Sequence, residues 1–310
     1  MSGEAVTAVV PTLGRSPHLA PCLAALRREG ARAVVVSQGK VAPDLPPGLA
    51  AQVVSLERNR GFAAGTNRGL ALAEGELVAM VNDDCIVQPG WLAALAEALA
   101  ADPGAAAAQG VNLRLDEPGR VDGCGIGWNR SWQAVQVGRG APAPPLGEPA
   151  REVFGVSATA ALFRRVALAA VALPAGQVFD LRLGSYYEDV DLAVRLRAAG
   201  YRALLVPRAR TLHAGGATGR GLGARRLAWI YGNRYLVLGR LLGGGFLPRL
   251  PGLAWRDAKD LGRVLMAGEG SAAAGILAGW ARALARLPGF LRRGEPLVPL
   301  AVLARFSEEA

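Results

Sequence analysis

The stretch Val78-Ala79-Met80-Val81-Asn82-Asp83-Asp84 decides the fold. Its first four residues form an apolar run that reads as a strand buried on both faces of a sheet. Such a strand cannot hold two carboxylates in its interior, because a buried ion is costly unless it is paired or bound to a metal. Asp83 and Asp84 must therefore emerge at the strand's carboxyl end, where open α/β sheets bind ligands. Clustered hard oxygens there suit Mg²⁺ or Mn²⁺, and such an ion suits a diphosphate. Asn-Asp-Asp is also good turn chemistry, so the segment alone also reads as a strand followed by a solvated turn.

Working outward, apolar runs at 5–10, 33–36, 53–56 and 77–81 read as strands, and 17–28, 64–73 and 91–100 read as helices. Strands alternating with amphipathic helices predict a mostly parallel sheet covered by helices. The middle of the chain changes character. Residues 138–149 hold four prolines and three glycines and read as a surface loop. Beyond it come a strand over 153–163, a helix over 189–199 stopped by Gly200, and a strand over 201–206 ending at Pro207. Residues 214–223 include five glycines and read as a mobile loop, a candidate lid. From Arg225 the pattern is helical, interrupted at Gly243–Gly245, Pro248, Pro251 and Pro288.

A length of 310 residues allows one large α/β domain, or one domain with a smaller appendage. Cys22, Cys85 and Cys124 are too few and too scattered for a disulfide framework, so reduced thiols and a cytoplasmic setting are expected. The first residues run into a strand without a secretory leader pattern. Net charge is +10, unevenly placed: residues 1–219 hold 21 Lys/Arg against 19 Asp/Glu, and residues 220–310 hold 14 against 6. A basic C-terminal third suits an anionic surface. Its apolar faces (Leu253, Leu261, Val264, Leu265; then Ile276, Trp280, Leu284, Leu287) are broken by Arg and Lys too often for a spanning helix. They suit the lipid interface, or packing on the rest of the chain or on a second copy in a homodimer.

Three further segments hold candidate chemistry. Tyr187-Glu188-Asp189-Val190-Asp191-Leu192 opens a helix, where acids either cap the positive end or act as bases. His213 follows a strand and precedes the glycine loop, either as a surface residue or as a ligand. Arg58-Asn59-Arg60-Gly61-Phe62-Ala63-Ala64-Gly65-Thr66-Asn67-Arg68-Gly69 puts arginines beside a glycine turn at a helix start. That turn either shapes the chain or binds a diphosphate or sugar.

Taken in order, these segments resemble family 2 of the inverting glycosyltransferases, over roughly residues 5–240. Val9-Val10-Pro11-Thr12-Leu13-Gly14-Arg15 is similar to the family's first strand and donor-binding turn, and Asn59–Gly69 to the N-x-G-F-a-x-G-x-N-x-G segment of its rhamnosyltransferase-like branch. Asn82-Asp83-Asp84 stands where the family has a metal-binding D-x-D variant. Glu188-Asp189-Val190-Asp191-Leu192 with Arg195–Tyr201 looks like its E-D-x-D-L-x-x-R-L signature, and Gly232-Asn233-Arg234-Tyr235 like a recurrent segment beyond the core.

The resemblance implies a GT-A (Rossmann-like) α/β fold and transfer of a sugar from a nucleotide-diphosphate sugar to a glycan or polyprenyl-linked acceptor. It implies Asp84 and His213 as ligands of Mg²⁺ or Mn²⁺, and Asp189 as base with Glu188 and Asp191 in support. Donor contacts fall to Pro11, Thr12, Gly14, Arg15, Gln38, Arg60, Gly61, Phe62, Gly65, Asn67, Asn82 and Asp83. One departure stands out: Ser37-Gln38-Gly39-Lys40 replaces the family's D-N-x-S type turn, so an amide takes the place of the base-contacting Asp.

These expectations divide the chain at 224/225. A catalytic part (donor half 1–110, acceptor half 111–224) precedes an amphipathic helical region at 225–310. A sugar-phosphate nucleotidyltransferase would need a Gly-rich, Lys/Arg-bearing loop after the first strand, and Pro11–Arg15 is a poor version of one. A membrane-surface or nucleic-acid module would leave the acidic clusters unexplained, and acids repel phosphate backbones, so nucleic acid is not an expected partner. Peripheral attachment to the inner face of the cell membrane is the expected location.

Overall fold

In a computed structural model, which describes residues 6–39, 43–50, 52–215 and 223–308, the apolar runs become one large sheet. Its strands are β1 (Thr7–Thr12), β2 (Arg32–Ser37), β3 (Gln52–Ser55), β4 (Leu77–Val81), β5 (Cys85–Val87), β6 (Ala105–Arg114) and β7 (Val121–Gly123). A small second sheet includes β8 (Ile126–Asn129) and β9 (Ala134–Gln136), and β10 (Arg151–Val153), β11 (Ala160–Arg164) and β12 (Arg202–His213) complete the large one. The short β13 (Ser307–Glu308) pairs with β8. The helices are α1 (Leu19–Arg28), α2 (Phe62–Leu70), α3 (Trp91–Ala101), α4 (Arg165–Ala170), α5 (Glu188–Ala198), α6 (Gly223–Leu242), α7 (Leu250–Met266), α8 (Gly270–Arg286) and α9 (Leu300–Arg305).

The large sheet runs β10-β12-β6-β11-β4-β1-β2-β3, with β5 on β12 and β7 on β6. The pairs among β3, β2, β1 and β4 are parallel, as is β6 with β12. Strand β11 enters antiparallel between β4 and β6 and joins the two parallel parts into a mixed sheet. The central strand is buried on both faces, as its residues predict. Ala79 and Val81 pack with α1 and α3, while Val78 and Met80 pack on the opposite face with α2, α4 and α5.

Several expectations change in the structure. The strand expected over 153–163 is two strands separated by Phe154–Thr159, a loop that enters the cleft. Strand β12 does not stop at Pro207 but runs to His213. A register shift between Leu205 and Arg210 absorbs the missing donor of the proline. Ala105–Arg114, whose four alanines favour helix, is a ten-residue strand. Gly110 shows why small residues suit it, since a Cβ there would collide with the Ala209 carbonyl. Pro251 starts α7 rather than interrupting it, because a first-turn proline loses no helical hydrogen bond. The expected strand start at residue 5, Lys40 of the second turn and most of the candidate lid (216–222) lie outside the described residues.

The C-terminal helices pack on the preceding part of the chain rather than standing apart. A third core joins Ile126, Trp128, Phe154, Tyr187, Val190 and Val194 to Tyr235, Leu236, Leu238 and Leu241 of α6, and to Leu253 and Ala283 of α7 and α8. From the expected apolar faces, Leu253 joins this core and Ile276 is buried, whereas Leu265 and Leu284 are exposed.

Candidate active site

Chain connections put the acids of the sequence into one cleft of about 1270 Å³ at the carboxyl ends of β1 and β4. Asn82, Asp83 and Asp84 follow β4 directly, and the Asn82 N–H donates to the Thr159 carbonyl at 2.8 Å. Asp83 turns toward β1, where its Oδ2 accepts the Thr12 hydroxyl proton at 2.5 Å. Burial raises the Asp83 pKa to about 6, against the pull of that hydroxyl. Thr12 Oγ1 also accepts the N–H of Gly14, which takes a φ of 72° at the turn.

The pairing of β12 with β5 sets His213 opposite Cys85, and so beside Asp84, across 129 residues of sequence. His213 Nε2 lies 3.2 Å from Asp84 Oδ1, and its Nδ1 lies 2.7 Å from Asp122 Oδ2 on β7. Burial would lower the His213 pKa, but hydrogen bonds with Asp122 and Asp84 outweigh it and raise the value to about 9. Asp84, Cys85 and His213 bring one donor atom each within 4.8 Å of one another. The carboxylate and imidazole fit Mn²⁺ or Mg²⁺, whereas the thiol does not. Cys85 Sγ donates to the Thr159 carbonyl, and burial pushes its pKa well up, so it stays a thiol. The donor set therefore fits a hard cation held by Asp84 and His213.

The opposite wall is built by α5. Asp189 Oδ1 accepts the Val190 N–H at 2.9 Å, and Oδ2 accepts the Ser157 hydroxyl at 3.2 Å. Burial raises the Asp189 pKa despite these bonds. Glu188 is 7% exposed and lines the same cleft, with Oε2 unpartnered and its pKa pushed well up, by burial first and then by the Asp189 charge. Burial thus raises both carboxyls, and the neighbouring Asp189 charge adds to the rise at Glu188. Behind them Gln109 of β6 bridges the two walls. Its Oε1 accepts the Ser157 N–H at 2.7 Å, and its amide donates to the Gly123 carbonyl at 3.3 Å.

The turn before Glu188 is strained. Tyr186 and Tyr187 both have positive φ, 65° and 69°, a conformation costing bulky residues roughly 1–2 kcal/mol each. Three carbonyls of this turn (Leu183, Ser185 and Tyr186) accept from the Asn233 amide on α6. The start of α2 holds its other side, with the Ala63 N–H on the Gly184 carbonyl and the Phe62 N–H on Ser185 Oγ.

That arrangement alters the reading of 58–69. The N–H groups of Phe62 and Ala63 are spent on the turn before Glu188 and are not free for a diphosphate. Gly61, with φ of 91°, lets the chains meet, since a Cβ there would lie 2.7 Å from the Gly184 carbonyl. Asn67 accepts the N–H groups of Val178 and Phe179 and donates to the Phe179 carbonyl, a latch rather than a cleft residue. Gly65 lies under Gln38, where a Cβ would sit 2.5 Å from Nε2. Arg60 is exposed and gives its backbone N–H to Gln38 Oε1. Asp191 is fully buried between Arg195 and Arg240, away from the cleft.

Of the residues the sequence singles out, the cleft collects Pro11, Thr12, Gln38, Phe62, Asn82, Asp83, Asp84, Glu188, Asp189 and His213. It does not collect Gly14, Arg15, Arg60, Gly61, Gly65, Asn67 or Asp191. Asp122, Ser157, Tyr186 and Trp229 line it without having been singled out.

Comparison with known proteins follows this geometry. The family model described as "Glycosyltransferase like family 2" matches residues 4–232. A curated relative, uncharacterized protein y4gI of Sinorhizobium fredii (strain NBRC 101917 / NGR234), is 30% identical over 159 residues, covering 49% of this chain and 17% of the relative. This chain thus spans about a sixth of that relative's length. Among solved structures, GalNAc-T7 with UDP, GalNAc and Mn²⁺ matches with a TM-score of 0.56 and 13% identity, over 79% of this chain and 49% of that one. The mannosyltransferase PcManGT of Pyrobaculum calidifontis, in complex with GDP-Man and Mn²⁺, matches with a TM-score of 0.52 and 20% identity, over 97% and 78%. Both likenesses establish the GT-A type of fold.

Proposed function

Because the chain belongs to the glycosyltransferase-like family 2, we propose that it moves a sugar from a nucleotide-diphosphate sugar to an acceptor hydroxyl, inverting the anomeric carbon. One observation carries this reading: a single cleft sets the Asp84–His213 pair on one wall and the Glu188–Asp189 pair on the other. Asp84 and His213 would hold Mg²⁺ or Mn²⁺, which when bound supplies positive charge to the departing diphosphate. Mn²⁺ in the two structural neighbours supports such an ion.

Thr12 and Asp83 line the donor side, and the Gln38 amide, in the same cleft, would read a nucleobase edge. Asp189 takes the proton of the acceptor hydroxyl. Its anion is held by backbone N–H groups and the Ser157 hydroxyl, and its raised pKa makes it a better base than a solvated aspartate. Glu188, whose Oε2 has no protein partner among the described residues, contacts the acceptor sugar. One displacement from the far face needs no covalent nucleophile and gives inversion.

A thermal-shift screen of UDP-, GDP- and dTDP-sugars with Mn²⁺, dTDP-rhamnose included, tests the reading. A true donor at 100 times its Kd stabilises by about 2.7 kcal/mol. Turnover should release a nucleoside diphosphate and stop in EDTA or in Asp84→Ala. Release of pyrophosphate, or turnover indifferent to EDTA, rejects it.

The acceptor is a glycan or a polyprenyl-linked sugar at the inner face of the membrane. Exposed Trp255, with Lys259 over its ring, and exposed Leu265 and Met266 on the same basic helix support attachment to anionic lipid. No helix among the described residues is long and apolar enough to cross a membrane. Flotation on anionic liposomes that is lost at high salt is the expected result, and a protein that never floats rules attachment out.

A further inference from the structure

We propose that Asp122 is the positioning residue of the metal site, fixing the ring of His213 so that Nε2 faces the cation. The inference rests on the reading of Asp84 and His213 as the ligand pair.

Two independent observations carry it. The first is the contact itself. Asp122 Oδ2 lies 2.7 Å from His213 Nδ1, while Nε2, the other ring nitrogen, lies 3.2 Å from Asp84. An imidazole that ligates through Nε2 keeps its proton on Nδ1 and needs an acceptor there, and a carboxylate fixes both tautomer and ring plane.

The second is how the backbone delivers that carboxylate. Strand β7 pairs with β6 as Asn112 with Gly123 and Leu113 with Val121. One step along β6 therefore corresponds to two along β7, and Asp122 is the extra residue of a β-bulge. Bulges re-aim a side chain at the cost of ladder pairing and concentrate beside active sites. A regular strand would have paired Asp122 with a residue of β6. Two surroundings keep the carboxylate in place. Arg139 Nη2 lies 3.6 Å from its other oxygen, Oδ1, and the Gln109 amide donates to the carbonyl of the next residue, Gly123. Asp122 also lines the cleft, so it stands at the site and not behind the sheet.

A purely structural role would have Asp122 fasten β7 to the end of β12. The two roles separate in Mn²⁺ binding by the full chain, with no sugar or nucleotide present. The probe is Mn²⁺ alone, titrated against protein and read as the free-ion signal in electron paramagnetic resonance. Melting temperature is recorded for each variant. Losing such an outer partner typically weakens metal binding about 10- to 100-fold. Asp122→Ala is expected in that range. Asp122→Asn, whose amide oxygen still accepts the Nδ1 proton, is expected near its lower end. In a His213→Ala background, Asp122→Ala should cause no further loss, because nothing remains to position. Folded Asp122→Ala with parental Mn²⁺ affinity overturns the inference, as does an equal loss with and without His213. Should the Ala variant fail to fold, Asp122→Asn indistinguishable from the parent overturns it. A parent chain that binds no Mn²⁺ overturns the ligand pair itself, a different failure.

Discussion

Asp189 and Asp191 stand two residues apart on one helix, and their surroundings are opposite. Asp191 is fully buried and takes Arg195 on one oxygen and Arg240 on the other. Arg240 also reaches Asp180, so the acids beneath the cleft form a network with arginines that fastens α6 to α5 and the loop before it. Asp189, Glu188 and Asp83 have no arginine or lysine ion pair among the described residues, only N–H groups, hydroxyls or nothing. Burial raises all three pKa values, whereas Asp180, with its arginines, is held down at about 2. The contrast separates acids paired with arginines from acids left without one, and the proposed function draws on the second group. A buried carboxylate without a cation is a cost that stability alone would not retain.

The largest expected effect breaks that contrast at the cleft. Asp189→Asn keeps the shape and removes the basicity, so kcat should fall about 10²- to 10⁴-fold. The melting temperature should hold or rise, because a half-buried carboxylate without a cation has gone. Rates of nucleoside-diphosphate release and a thermal melt check both halves. A variant with parental kcat, or one that fails by unfolding, would place Asp189 with the structural acids.

Next in size is the reverse experiment. Asp191→Ala leaves Arg195 buried without a counter-ion and Arg240 with Asp180 alone, a loss of about 3–5 kcal/mol. Urea unfolding should show it, while Mn²⁺ affinity of the folded protein stays near the parent's. Unchanged stability would mean that the arginines find other partners and that the network does not fasten α6.

Much of this was legible in the residues, for identifiable reasons. Strand β4 is apolar at every position because both faces are covered, so the acids at its end could be placed without a structure. His213 could be suspected, but its approach to Asp84 depends on β5–β12 pairing across the chain, which local pattern does not encode. The segment 58–69 was visible as a motif, but its job was not. Gly61 meets the turn at Gly184 and Asn67 binds Val178 and Phe179, contacts more than 110 residues away. Strand β6 was hidden because alanine has the highest helix propensity, and only crowding between β11 and β12 selects it there. Asp191 sits inside the same motif as Asp189. Nothing in E-D-x-D says which acid faces arginines, because helix geometry turns residues two apart to different sides.

The smallest expected effect sharpens the comparison through pH. Asp180 is buried, which by itself would raise its pKa, but hydrogen bonds from Arg182 and Arg240 outweigh burial and set it at about 2, against 3.8 for an ordinary aspartate. Since the folded value is depressed, the unfolded chain takes up the proton first as pH falls. The stability from this group is therefore fully present above about pH 4 and is lost as pH drops through 2. At 1.36 kcal/mol per pKa unit, the pH-dependent part is about 2 kcal/mol. Asp180→Asn cannot titrate, so the stability difference between parent and variant isolates the group from the other carboxylates. That difference should be constant from pH 7 to 5 and shrink below pH 4, read by urea unfolding at each pH. Asp189, with its raised pKa, must behave oppositely: replacing it by Asn should make the protein relatively more stable at neutral pH, an advantage that fades as pH falls and Asp189 protonates. Parallel pH curves for the two variants would erase the distinction between paired and unpaired acids, and opposite curves would establish it in solution.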